Sequence, residues 1–85
     1  MKDLTRYDDY PCCAKQLAIK LCALRRACGY TQEQVAYMSG ISTYTYQKFE
    51  KGESKPGTPL NPRLSTLLAL ARTFNVDVRD LLSFD

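Results

Sequence analysis

Every side chain within residues 43–48 (TYTYQK) carries a hydroxyl, amide or ammonium group. Spacings of three and four residues bring side chains onto one face of a helix. The side chains predicted to share this outward face are Thr43, Tyr44, Gln47 and Lys48. Their hydroxyl, amide and ammonium groups donate or accept hydrogen bonds, which indicates recognition of a polar target. The sequence has no histidine, and no paired carboxylates or nucleophile–base pair stand out, which argues against an enzyme.

Two short helices joined by a tight turn are predicted within residues 31–52. Thr31 supplies an N-cap hydroxyl, and Gln34, three residues later, can return a hydrogen bond to it, as in a capping box. Gly40 tolerates the left-handed conformation that ends the first helix. Ser42 then caps the second helix.

The second of these helices has an apolar face and a polar face. Tyr46 and Phe49, three residues apart, are predicted to point inward, opposite the outward face. Two helices at a wide angle, joined by a short glycine-containing turn, form the motif that inserts its second helix into the major groove of DNA. In that groove Gln47 suits adenine, and Lys48 suits guanine or, less specifically, a phosphate. The residues predicted to read base edges are therefore Thr43, Tyr44, Gln47 and Lys48.

A set of short motifs follows a defined order along most of the chain. It comprises Arg25, the segment 29–33 (GYTQE), Ala36, the segment 40–42 (GIS), the segment 49–52 (FEKG), the segment 66–71 (TLLALA) and the segment 76–82 (VDVRDLL). In this order the series resembles the Cro/lambda-repressor-like helix-turn-helix family, also called the XRE family. No single motif is unique to that family, and the specificity lies in the order.

The resemblance implies an all-α, five-helix lambda-repressor-like DNA-binding domain with the helix-turn-helix in helices two and three. Hydrophobic periodicity predicts helix one over residues 11–27 and helix four over residues 62–74, and Asp77 opens a short fifth helix. Residues 1–10 are predicted to be a flexible N-terminal arm, and residues 11–85 the DNA-binding domain. No strand is predicted.

Two apolar stripes and one long connection complete the predicted fold. The stripe of helix one is Ala14, Leu17, Leu21, Leu24 and Cys28, and that of helix four is Leu64, Leu67, Leu68, Ala71 and Phe74. Residues 52–62 contain three prolines and two glycines, which predicts a loop. Tyr46 stands where the family usually has Ile or Val, so its ring is predicted either to lean outward or to pack against Leu17 or Leu21.

Residues beyond the outward face are predicted to contact phosphates or to position the helices. The resemblance implies that Gln32 donates to a DNA phosphate. It also implies that Arg25 and Glu50 form a partly buried ion pair that holds helix three against helix one. Positions on or after helix three would run beside the DNA backbone, and the phosphate contacts predicted there are Thr45, Lys51, Lys55 and Arg63.

Composition permits a small DNA-binding domain without identifying one. The 85 residues suit a single domain, and a net charge of +3 is weak evidence for a nucleic-acid partner. No apolar run approaches the roughly 20 residues that span a bilayer, and residues 1–11 lack a signal-peptide core. A cytoplasmic protein without membrane contact is therefore predicted, and the family resemblance implies a bacterial or phage origin.

The four cysteines lack the spacing of metal ligands, so no metal and no other cofactor is predicted. They are interpreted as reduced thiols that act as small apolar fillers. Redox sensing or intermolecular crosslinking by Cys12 and Cys13 stays open as an alternative.

These features predict a sequence-specific regulator of transcription that binds double-stranded DNA and represses by covering promoter DNA. A weak homodimer would bind a palindromic operator, with half-sites roughly 34 Å apart. The predicted surface of this dimer is Leu81, Leu82 and Phe84, or else the N-terminal arm. Two alternatives stay open: an antitoxin that also binds a toxin, using the arm at residues 1–10, and a protein-interaction module that has lost DNA binding.

Overall fold

The computed structural model describes residues 9–83, which form five helices and one β-hairpin. The helices are α1 (Tyr10–Cys28), α2 (Gln32–Ser39), α3 (Thr43–Lys51), α4 (Leu64–Phe74) and α5 (Val78–Leu81), and the strands are β1 (Glu53–Lys55) and β2 (Thr58–Pro59). The five-helix fold with its helix-turn-helix in α2 and α3 is confirmed. The prediction that the chain has no strand is wrong.

The helix-turn-helix is held by the predicted local hydrogen bonds. Thr31 Oγ1 accepts from the backbone N–H of Gln34 at 3.1 Å, and Gln34 Oε1 accepts from the backbone N–H of Thr31 at 2.8 Å, which confirms the capping box. Gly40 ends α2 with a φ of 71°, and the Ser42 hydroxyl accepts from the backbone N–H of Thr45 at 3.0 Å. These hydrogen bonds all join groups within a few residues of one another in the chain.

One face of α1 is buried in the hydrophobic core. Ala14, Leu17, Ala18 and Leu21 of α1 are buried. Tyr46 is fully buried in the same apolar cluster as Leu17 and Leu21, so the outward-leaning alternative for its ring is wrong. Cys28 is exposed, because the last turn of α1 extends beyond the core, and the predicted stripe therefore ends before it.

The N-terminus of α1 begins earlier than predicted. Asp9 Oδ1 accepts from the backbone N–H of Cys12 at 3.2 Å, and the helix begins at Tyr10. The end of the predicted arm therefore belongs to α1. Residues 1–8, which make up the rest of that arm, lie outside the described residues.

The connection between α3 and α4 is an antiparallel hairpin and not the predicted loop. Lys55 pairs with Thr58 across Pro56 and Gly57, and the φ of Gly57 is 81°. A proline followed by a residue with positive φ is typical of a type II turn, which closes a short hairpin without an apolar strand pattern.

Hydrogen bonds and a close approach of α1 hold the hairpin against the rest of the domain. The backbone N–H of Leu60 donates to the Gly52 carbonyl at 2.9 Å, and the Tyr10 hydroxyl donates to the Leu60 carbonyl at 2.6 Å. Gly52 has a φ of 73°, and a Cβ there would lie 3.1 Å from the carbonyl oxygen of Ala14. Only glycine fits this exit from α3, because α1 passes directly beside it.

α4 buries a face that is rotated from the predicted one. Its buried residues are Leu67, Leu70, Ala71 and Phe74, whereas Leu64 and Leu68 are 67% and 49% exposed. The stripe prediction is therefore wrong for Leu64 and Leu68, and it missed Leu70. The leucine-rich sequence allows either flank, and packing against α2 and α5 selects the Leu70 side.

The remaining features of the fold are the exposure of the cysteines, the grouping of possible metal ligands, and the length and apolar character of the helices. Cys12 and Cys28 are exposed, so the prediction of apolar fillers is wrong for these two. Within residues 9–83, no three His, Cys, Asp or Glu side chains are grouped so as to hold a metal ion. None of the helices in that range has the length and apolar character to cross a membrane.

Candidate nucleic-acid interface

The outward face of α3 brings the four predicted base-reading residues together. Tyr44 is 69% exposed, and Lys48 Nζ lies 4.5 Å from the centroid of its ring, a cation–π distance. Thr43 and Gln47 are half-buried on the neighbouring edge. The face therefore carries an aromatic ring, a cation, an amide and a hydroxyl on one rigid helix.

A basic groove separates α3 from the hairpin. Its lining residues are Tyr44, Gln47, Lys48, Lys51, Glu53, Ser54, Lys55 and Pro56. The carboxylate of Glu53 accepts from the backbone N–H of Gly57 at 3.2 Å, within the hairpin turn. Among residues 9–83, Lys48, Lys51 and Lys55 have no carboxylate partner within ion-pair distance. The hairpin thus returns Lys55 to the side of α3, and the groove has a net positive charge.

The ion pair that joins α1 to α3 is present and bidentate. Arg25 Nε lies 2.6 Å from Glu50 Oε2, and Arg25 Nη2 lies 3.1 Å from Glu50 Oε1. The side chains are only 16% and 7% exposed. Arg25 Nη1 also donates to the carbonyl of Tyr30 at 3.1 Å. One guanidinium therefore ties the end of α3 and the start of the α2 segment to α1.

The surroundings of this pair keep Glu50 ionised. Burial by itself would raise the pKa of Glu50, but hydrogen bonds from Arg25 and Gln32 and the nearby Tyr46 phenol hold it below its usual value. The hydrogen bond to Glu50 raises the pKa of Arg25. Burial, and then the neighbouring Glu50, raise the pKa of Tyr46. Among residues 9–83, however, the buried Tyr46 hydroxyl has no partner at hydrogen-bonding geometry.

Gln32 has two partners inside the protein. Its Nε2 donates to Glu50 Oε1 at 3.0 Å, and its Oε1 accepts from Gln47 Nε2 at 3.3 Å. Sequence reasoning missed this network, since the partners are 18 and 15 residues apart in the chain. The only signal of this network in the sequence was that Gln32 and Gln47 were both predicted to contact DNA. The phosphate contact predicted for Gln32 stays a prediction.

The remaining predicted phosphate contacts lie in different settings. The Thr45 hydroxyl accepts from the Ser42 hydroxyl at 2.9 Å, beside the first turn of α3. Lys51 and Lys55 border the basic groove. Arg63 is exposed at the N-cap of α4 and does not line that groove. These contacts stay predictions, and Arg63 is the one that the fold separates from the others.

The predicted dimer surface is partly wrong. Leu81 is fully buried, because α5 packs this side chain into the core, so it cannot contact a second subunit. Leu82 is 43% exposed and stays a candidate. Phe84 lies outside the described residues.

The model of a known protein family matches most of this chain. The model of the helix-turn-helix family HTH_3 matches residues 23–81, from within α1 to the end of α5. This chain belongs to the HTH_3 helix-turn-helix family. The XRE-type resemblance is thereby confirmed, and membership supports a DNA-binding transcriptional regulator, a class that is generally not enzymatic.

A solved structure of similar fold supports the same assignment. The restriction-modification controller protein C.AhdI from Aeromonas hydrophila is similar to this HTH_3 protein with a TM-score of 0.70 and 28% sequence identity. The match covers 80% of this chain and 94% of the C.AhdI chain. No curated protein matches this chain significantly.

Proposed function

We propose that this HTH_3 protein is a sequence-specific repressor that binds operator DNA through α3 and acts by covering promoter DNA. The observation that carries the proposal is the outward face of α3. It combines the exposed Tyr44 with Lys48 and is bordered by lysines that lack carboxylate partners among residues 9–83. A polyanion with polar base edges matches both the charge and the hydrogen-bonding groups of this surface.

Each part of the surface has a distinct role in the proposed complex. The first turn of α3 enters the major groove, where the Tyr44 ring can pack on a thymine methyl group and Lys48 can donate to guanine O6 or N7. Lys51 and Lys55 lie at the border of the basic groove, where they would neutralise phosphates. The base contacts would supply sequence preference, and the phosphate contacts affinity and register.

A dimer is part of the proposal, because one small module buries little DNA surface and binds weakly. Two protomers with half-sites roughly 34 Å apart would recognise a palindromic operator. Leu82 at the end of α5 is an exposed candidate for the subunit contact. A bound dimer of this size would exclude polymerase from an overlapping promoter.

Selection of bound duplexes from a random library tests the proposal, followed by salt titration of the selected site. We expect a palindromic consensus whose affinity falls steeply with salt. Lys48→Ala should weaken binding to that site by about 1–3 kcal/mol and relax the preference at one position. An in vitro transcription assay with the site inside a promoter should then show repression.

Arg72→Ala is the matched control, since it removes one exposed positive charge from α4 without touching α3. It should leave the consensus unchanged. Failure to enrich any duplex would overturn the proposal and leave the antitoxin and protein-interaction alternatives, which a search for a bound partner would separate. An unchanged preference in Lys48→Ala would remove Lys48 from the base-reading set.

The similarity to C.AhdI favours a second candidate, in which the regulated genes are those of a restriction–modification system. C.AhdI is a restriction-modification controller protein, and the match includes nearly all of its chain. Footprinting on DNA upstream of restriction–modification genes tests this candidate. Protection of such DNA at the same salt as the selected consensus would support it, and absence of protection would exclude it.

A further inference from the structure

The hairpin is too short to hold its position beside α3 by itself. β1 has three residues and β2 has two, and they pair through Glu53 with Pro59 and Lys55 with Thr58, in an irregular register. A single two-stranded hairpin is at best marginally stable in water. Its placement must therefore come from contacts with the rest of the domain.

The first turns of α1 contact the hairpin at two points. The Tyr10 hydroxyl lies 2.8 Å from the carbonyl oxygen of Pro59 and 2.6 Å from that of Leu60, and because a phenol has one O–H, the two carbonyls share a single donor. Four residues further along α1, on the same helix face, the Ala14 carbonyl oxygen would lie 3.1 Å from a Cβ at Gly52. β2 and the exit of α3 thus both lie against α1.

The two kinds of contact do different work. The Leu60 side chain is buried in the core, and its backbone N–H donates to the Gly52 carbonyl at 2.9 Å, so the core fixes the base of the hairpin. Pro56 and Gly57 at the tip are exposed. The Tyr10 hydroxyl reaches one residue further toward the tip, at Pro59, and so resists rotation of β2 away from α1.

Lys55 lies on the strand opposite this contact. It pairs with Thr58 of β2 and borders the basic groove. We propose that Tyr10 is a positioning residue for DNA binding, whose hydroxyl holds β2 against α1 and thereby keeps Lys55 at the phosphate backbone. This inference rests on the proposed function, because the phosphate contact of Lys55 is part of that function.

The strength of one hydrogen bond limits the size of the effect. The net contribution of such a bond corresponds to about two- to tenfold in an equilibrium constant. Tyr10→Phe removes only the hydroxyl, so DNA affinity should fall by up to this factor for each protomer. The salt dependence should become shallower by up to about one unit of log–log slope per protomer, the share of one lysine–phosphate contact. Base preference should not change, since phosphate contacts carry no direct sequence information.

A double-mutant cycle identifies the lysine through which Tyr10 acts. Salt titrations should use the duplex that the wild-type protein selects and a scrambled duplex of equal length. In a Lys55→Ala background, Tyr10→Phe should cause no further loss of affinity. In a Lys51→Ala background it should keep its full effect, because Lys51 borders the same groove but belongs to α3. A purely structural role of Tyr10 would lower affinity equally in both backgrounds.

A matched control and a measurement without DNA accompany the cycle. Tyr37→Phe removes the hydroxyl of a tyrosine that is 88% exposed on α2 and does not line the basic groove, so affinity and salt slope should stay unchanged. In the free protein, Tyr10→Phe should speed hydrogen exchange at the Leu60 amide, which closes the base of the hairpin. Exchange at the amide of Leu21, buried in α1, should not change.

Two results would overturn the positioning role. One is a Tyr10→Phe variant that binds both duplexes with wild-type affinity and salt slope, and the other is a loss of affinity that persists in the Lys55→Ala background. Both leave the repressor proposal standing, because the wild-type protein still selects its site. If the wild-type protein enriches no duplex, the proposed function fails, and the positioning role of Tyr10 fails with it.

Discussion

Two ion pairs of the described residues have the same chemistry in opposite surroundings. Arg25 and Glu50 are 16% and 7% exposed, and they join α1 to α3 across 25 residues of chain. Arg79 and Asp77 are 87% and 44% exposed, and they lie two residues apart at the start of α5. Burial and chain separation, more than distance between the charges, should decide which pair matters.

The physical reason lies in what each side chain would meet if its partner were removed. A buried charge without its partner keeps its desolvation penalty, so the remaining group destabilises the fold. An exposed charge is taken up by water and salt, and holding two side chains together costs conformational entropy. The pair at Arg25 and Glu50 should therefore be essential to the fold, and the pair at Arg79 and Asp77 dispensable.

The largest effect is expected from Arg25→Ala. It should lower the free energy of unfolding by about 3–5 kcal/mol, because Glu50 is left buried and unpaired. Urea titration followed by circular dichroism measures this loss. Arg26→Ala, which removes the exposed neighbouring arginine, is the control and should change stability little. DNA affinity per folded molecule should fall less than stability does, and the reverse ranking would make Arg25 a DNA contact.

A smaller effect is expected from acid. The pKa of Glu50 is lowered in the folded state, so its stabilising contribution is complete above its unfolded pKa of about 4.3 and is lost as the pH falls through the folded pKa. Unfolding free energies between pH 7 and pH 3 should therefore decrease, and Glu50→Gln, although less stable at pH 7, should show a shallower decrease.

Salt separates this acid effect from that of the exposed pair. Hydrogen bonds from the side chain and backbone of Arg79 lower the pKa of Asp77 to about 2, which also adds acid sensitivity. Solvent and salt screen that exposed carboxylate. At high salt, the decrease in unfolding free energy from pH 7 to pH 3 should therefore be the same in Asp77→Asn as in the wild-type protein. If the unfolding free energy of Asp77→Asn no longer fell with acid, the exposed pair would contribute more to stability than the buried pair.

The smallest effect is expected from Arg79→Ala. Its guanidinium is exposed, and the Asp77 cap accepts from the backbone N–H of residue 79 at 2.8 Å, which alanine preserves. The urea midpoint should remain within experimental error of the wild-type value, at low and at high salt. A clear loss would mean that exposed local pairs stabilise this domain as the buried pair does.

The sequence predicted the parts of this molecule that depend on neighbours in the chain. The capping box at Thr31 and Gln34, the Ser42 cap and the left-handed Gly40 at the end of α2 all follow from residue types at fixed short spacings. The hairpin also had a local signal, since Pro56-Gly57 is typical of a type II turn. Its strands are too short and too polar to show an alternating pattern.

Other features could not be predicted because they depend on which elements meet. Leu64, Leu68 and Leu70 are equally apolar, and only the positions of the helices around α4 decide which of them is buried. The burial of Leu81, which removes it from any subunit contact, is decided in the same way. Hydrophobic periodicity predicts approximately which face of a helix is buried, and packing against other elements decides which residues at the edges of that face are included.

The sequence by itself determined the caps that open α2 and α3, that α3 follows a tight glycine turn, and that its outward side is polar. It could do so because these caps and turns are hydrogen bonds between groups only three or four residues apart in the chain. Only the tertiary structure decided that Gln32 joins Glu50 to Gln47, and that Lys55 returns to the side of α3. These contacts link groups far apart in the chain, and they exist only once the packed core has brought α1, α2, α3 and the hairpin together.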